Sequence, residues 1–105
     1  MKVGVDLTFI PRFKDKAKLA EKILSSFELI EYQNALNKEE YLASRFALKE
    51  ALIKCLELSI LSVDLKDIII KKKKSGAIYI EYKNKDFSCS LSHENEYCIG
   101  VVIDE

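Results

Sequence analysis

One short stretch carries the first chemical hint. In ASRFALKEALIKCL, residues 43–56, Arg45 and Lys49 stand four apart, and so do Glu50 and Lys54. On a helix turning about 100° per residue, each pair shares a flank. Glu50 preceding Lys54 is the favourable order for an ion pair, and a helix salt bridge is its plain reading. Ala43 and Ala47 bracket that pair, however, and their small side chains leave a recess for a ligand. Arg45 and Lys49 have no acid between them; like charges at this spacing repel mildly, so a bound anion would relieve them. The remainder is apolar at nearly every angle, as in a buried helix, and buried charges need partners. Two further residues are candidates by type. Asp6 follows an alternating apolar run, and the single histidine, His93, lies beside Ser90 and Ser92 near a turn. Taken singly, each has an ordinary structural reading as well.

The elements that must position these residues follow from patterning. KVGVD (2–6) alternates as a short strand with Gly4 and Asp6 on one face, and Asp6 is expected to end it. Apolar spacing predicts an amphipathic helix from about 14 to 25. Ser25 with Glu28 is a capping-box signature for a short helix to Leu36, and Asn37 with Glu40 opens a long helix to Leu56. Residues 67–72, 77–83, 87–93 and 97–103 are rich in β-branched and aromatic residues and read as strands. In FSCSLSH, Ser88, Ser90 and Ser92 share one face and Cys89, Leu91 and His93 the other. One strand, then helices, then strands predict an α+β fold: an antiparallel sheet packed on a long helix, in a single domain spanning 1–105.

Composition narrows the function classes. With 17 basic and 17 acidic residues the formal charge is zero, so no general attraction to nucleic acid or membrane is expected. No apolar run reaches the roughly 20 residues of a membrane span, and MKVGVDLTFIPRF has no signal-peptide pattern, so the expectation is a cytoplasmic protein. Cys55, Cys89 and Cys98 are read as small buried thiols, since three cysteines without CxxC and one histidine do not make a zinc site. Basic residues concentrate in PRFKDKAKLAEK (11–22), which invites an anionic partner. The lysines at 71–74 read as solvated surface; they lack interleaved aromatics for nucleic acid.

Three stretches in order, GVDLTFIPR, RFALKEALIK and SLSHENEY, resemble the signature motifs of the holo-acyl-carrier-protein synthases, the small bacterial phosphopantetheinyl transferases. LSVDLKDIII and SGAIYI match the segments between the second and third motifs. The resemblance implies the 4′-phosphopantetheinyl transferase fold and transfer of the 4′-phosphopantetheine arm of coenzyme A to a serine of apo acyl carrier protein. The other product is adenosine 3′,5′-bisphosphate, and the holo carrier serves fatty acid biosynthesis. It also implies Mg²⁺, with Mn²⁺ possible at an oxygen-rich site, and a homotrimer with active sites between subunits. By position, Asp6 and Glu50 would hold the metal, and Lys54 would meet the coenzyme A phosphates. Arg45 and His93, with Lys49 and Ser92 beside them, would hold the nucleotide end. Arg12, Lys14 and Lys18, with Lys16 and Lys22 nearby, would dock the acidic carrier protein. Glu50, directly or through a metal-held water, is the expected base for the serine hydroxyl.

The match departs from the family at one loop. Where members carry a glycine-bearing G-T-G, this chain reads Glu57, Leu58 and Ser59. Glycine lets backbone approach a phosphate closely, and a glutamate aimed the same way would repel it. The alternative reading is therefore a catalytically silent protein on the same fold that captures coenzyme A or carrier protein.

Overall fold

A computed structural model describes all 105 residues. The chain runs through β1 (Lys2–Phe9), a 3-10 turn (Ile10–Phe13), α1 (Ala17–Ile23), α2 (Ser26–Asn34) and α3 (Lys38–Cys55). Short 3-10 turns at Ile60–Ser62 and Leu65–Asp67 lead to β2 (Ile69–Lys72), β3 (Ile78–Tyr82), β4 (Lys85–Glu94) and β5 (Tyr97–Asp104). The strands form one five-stranded sheet in the order β1-β5-β4-β3-β2. Every neighbouring pair is antiparallel. The α+β reading holds, and the long helix α3 lies across the sheet.

The caps explain where the helices begin. Ser25 accepts from the Glu28 amide while the Glu28 carboxylate accepts from the Ser25 amide, a complete capping box. At α3 the Asn37 side chain accepts from the Glu40 amide, but the reciprocal bond runs between side chains. Helix α1 is shorter than expected. Asp15 sits at φ 56°, in the left-handed region, and Lys16 supplies no side-chain cap, so the helix starts only at Ala17.

Two glycines let the sheet sit close on α3. A Cβ on Gly4 would lie 1.9 Å from the Ala51 carbonyl oxygen, and one on Gly100 would lie 3.1 Å from Ala47 backbone. Ala43, Ala47 and Ala51 are fully buried. The alanine recess expected beside Glu50 and Lys54 is thus filled by the protein's own packing, not left for a ligand. β1 also runs three residues further than expected. Asp6 lies mid-strand opposite Gly100, because Leu7, Thr8 and Phe9 continue the ladder onto Ile99, Cys98 and Tyr97.

The sheet's two faces differ. Toward α3, Cys98 and Val102 of β5, Phe87 of β4 and Ile80 of β3 join the buried core. Away from α3, Val3, Val5, Leu7 and Phe9 of β1 stand exposed beside Tyr97 and Ile99 of β5. That apolar face has no cover within one chain.

Candidate active site

Asp6 and Glu50 are brought together although 44 positions separate them in the sequence. β1 crosses the second half of α3, and the alternation that buries Gly4 against the helix turns Asp6 to the same side. Thr8, two residues on and buried, donates its hydroxyl to Asp6 Oδ2 at 2.7 Å. Lys54 donates to Asp6 Oδ1 at 3.0 Å and to the Val5 carbonyl at 3.2 Å. The ion pair Lys54 makes is therefore with Asp6, not with Glu50 as helix spacing alone suggested. Glu50 Oε1 is buried and has no hydrogen-bond partner. Burial first, and then the neighbouring Asp6 carboxylate, push the Glu50 carboxyl above its usual pKa of 4.5, while the Lys54 ammonium opposes them.

An unpaired buried oxygen beside a second carboxylate is an unfavourable arrangement that a cation would relieve. No cluster of three or more His, Cys, Asp or Glu side chains is placed to hold a metal. A hard ion such as Mg²⁺ does not need one, because it uses one or two carboxylates and completes its shell with waters and substrate phosphates. Asp6 and Glu50 fit that requirement. Thr8 was missed by the sequence reading; its position two residues along the same strand face as Asp6 was the available signal.

A cleft of about 300 Å³ opens on a different flank of α3 from the carboxylate pair. Arg45, Ser44, Tyr41 and Glu40 of the helix line it with Leu91 and His93 of β4. The Arg45 guanidinium carbon stands 4.3 Å from the centroid of the Tyr41 ring, one of its terminal nitrogens donates to Ser44 Oγ at 3.2 Å, and its Nε has no partner. His93 Nε2 lies 3.2 Å from Glu40 Oε1. Arg45 and His93 therefore do meet. Ser92, by strand alternation, leaves the opposite face of β4 and does not join them within one chain.

Lys49 does not flank an anion with Arg45. It is wholly buried and spends all three N–H bonds inside the protein: Glu28 Oε1 at 2.6 Å, the Ile23 carbonyl at 2.7 Å and the Leu65 carbonyl at 3.0 Å. Burial pulls the Lys49 ammonium below its usual pKa, and the Glu28 carboxylate works against that pull. The sequence reading failed here because helix geometry gives the flank but not what packs on it.

Glu57, where the resemblance predicts a glycine, closes α3. It takes φ 56° as the residue just past α3, where the Leu58 and Glu57 amides bond back to the Ile53 and Lys54 carbonyls. Its carboxylate is 77% exposed and meets Lys2 at 3.2 Å. The glutamate thus occupies the left-handed position that favours glycine, with its charge turned to Lys2. Arg12, Lys14, Lys16, Lys18 and Lys22 are all exposed. Arg12 and Lys16 border an apolar slot of about 510 Å³ floored by Phe13, Leu19 and Phe46.

Fold and site together define a small α+β domain with a carboxylate pair between β1 and α3, a cleft holding Arg45 and His93, and a slot bordered by Arg12 and Lys16. The family profile of the 4′-phosphopantetheinyl transferase superfamily matches residues 2–102, and the chain belongs to that superfamily. It is 32% identical to a holo-[acyl-carrier-protein] synthase of Mycoplasma capricolum, over 98% of this chain and 93% of that protein. Among solved structures, the synthase of Neisseria meningitidis superposes with a TM-score of 0.85 at 27% identity, covering 96% of this chain and 94% of that one. The Helicobacter pylori synthase in complex with coenzyme A gives a TM-score of 0.83 at 30% identity, covering 96% and 97%.

Proposed function

We propose that this protein is a holo-[acyl-carrier-protein] synthase, moving the 4′-phosphopantetheine arm of coenzyme A onto a serine of apo acyl carrier protein. The carrying observation is the convergence of Asp6, Glu50 and Lys54, with Glu50 Oε1 buried and unpaired. Mg²⁺ is the metal the two carboxylates suit; bound there, it would offset charge on the diphosphate and on the departing phosphate. Thr8 holds Asp6 in one rotamer for that role. Lys54 parks on Asp6 and Val5 and is exposed enough to turn toward a diphosphate. Glu50, whose buried Oε1 has no partner of its own, is the carboxylate assigned to take the proton of the attacking serine hydroxyl. In-line displacement at phosphorus then releases adenosine 3′,5′-bisphosphate.

Arg45 and His93 are assigned to the phosphates of the nucleotide end, and Glu40 must swing off His93 when they bind. Because this cleft and the carboxylate pair lie on different flanks of α3, one chain holds two half-sites. The exposed apolar strip of Val3, Val5, Leu7, Phe9 and Ile99 supplies the surface for joining copies. A homotrimer with sites between subunits satisfies both facts. Arg12, Lys14 and Lys18 present a net basic surface to an acidic carrier protein, with the adjoining slot for an apolar side chain. The three cysteines are free, as expected in the reducing cytoplasm, where we place the reaction in support of fatty acid synthesis.

Incubation with coenzyme A, Mg²⁺ and apo carrier protein, followed by weighing the carrier, tests this reading. A mass gain equal to the phosphopantetheine arm, abolished by chelator, is expected. Tight coenzyme A binding without any gain would instead identify a silent binding protein.

A further inference from the structure

The most completely buried ionic group in the molecule is one that the proposed chemistry does not use. Lys49 and Glu28 are both 0% exposed and sit 2.6 Å apart. Each also reaches beyond the pair. Lys49 Nζ donates to the Ile23 carbonyl, in the last turn of α1, and to the Leu65 carbonyl before β2. Glu28 accepts from the Ser25 amide between α1 and α2, and its other oxygen accepts from the Ile70 amide of β2. A single ion pair thus gathers five segments.

Helix α1 depends on this link more than the others do. It has seven residues, no side-chain cap and only two buried side chains, Ala20 and Ile23. A helix of that length does not persist by itself. The bond from Lys49 to Ile23 is the one hydrogen bond joining α1 to another part of the chain. Lys49 also immediately precedes Glu50, so the group that anchors α1 sits beside the proposed base.

We propose that the Lys49–Glu28 pair is a positioning clamp that, through α1, fixes Lys18 and Lys22 of the basic docking segment in register with Glu50 on α3. This rests on the proposed function, since docking and transfer must be aligned only if a carrier serine is delivered to Glu50. Lys49 and Glu28 touch neither substrate; they act through α1.

The test compares the unaltered protein with Lys49→Met/Glu28→Gln, which removes both charges, conserves volume and keeps one acceptor for the Ser25 or Ile70 amide. The expected result is a KM for apo carrier protein raised at least about tenfold, with the KM for coenzyme A within about twofold. Amide hydrogen exchange should quicken across residues 17–24 while residues 45–54 of α3 keep their protection. Both KM values rising together, neither changing, or undiminished protection of α1 would overturn the clamp. Should the double variant fail to fold, Glu28→Gln alone is expected to show the same split at smaller amplitude, and an equal rise in both KM values would overturn it. If the unaltered protein transfers nothing, the proposed reaction falls, while the exchange comparison still decides whether the pair holds α1.

Discussion

Glu50 is held in a state that favours its proton. With its folded pKa raised above the usual 4.5, the native protein binds that proton more tightly than the unfolded chain does. The favourable contribution is therefore complete below pH 4.5 and disappears as pH climbs through the folded pKa. Glu50→Gln keeps the shape without the charge. In chelator at pH 7, it should melt at a higher temperature than the unaltered protein, and the gap should close toward pH 4. A variant that melts lower at pH 7 would mean that Glu50 is already satisfied. Its turnover should drop at least about 10²-fold; near-normal turnover would remove Glu50 from the chemistry. A site that sacrifices stability for reactivity is a common arrangement; Thr8 and Lys54 both bond the neighbouring Asp6 carboxylate.

At the scale of elements, the end of α3 carries local strain. Glu57 adopts φ 56° to complete the two bonds that close the helix, a conformation that disfavours any Cβ. Glu57→Gly is expected to stabilise the fold by about 1 kcal/mol, because the exposed bridge to Lys2 that it gives up is worth little. Chemical denaturation checks this: the midpoint should rise at unchanged slope, and a fall would show that the Lys2 contact outweighs the backbone strain. Gly4 makes the opposite demand. With the Ala51 carbonyl where its Cβ would be, no larger residue fits unless β1 lifts off α3, which would carry Asp6 away from Glu50.

For the whole molecule, the uncovered side of the sheet and the division of the site between two flanks of α3 point to one assembly. Leu7 is 63% exposed at the centre of the apolar strip. Leu7→Lys should convert the proposed trimer to monomer in sedimentation, and transfer should fall at least about tenfold with it, since a site built between copies would lose its second half. An intact, active trimer would place the interface elsewhere. Arg12 belongs to the proposed docking surface, which would have to stay open. Arg12→Glu should raise the KM for carrier protein while leaving that for coenzyme A unchanged, and equal losses would move the docking surface away from the segment at 11–22.

Local and periodic features were legible from the residues alone. Ser25 with Glu28 announced a helix start because a capping box is a contact between neighbours. The alternation of β4 separated Ser92 from His93 because strand geometry has period two. Motif order around Asp6, Glu50 and Lys54 carried the family resemblance. Partners across the fold were not legible in that way. Lys54 pairs with Asp6 rather than its helix neighbour Glu50, and Lys49 belongs to Glu28 rather than to an anion. Periodicity states which side of an element a residue occupies; only tertiary packing decides what stands opposite, and for a charge that partner determines whether it is a working group or a buried strut.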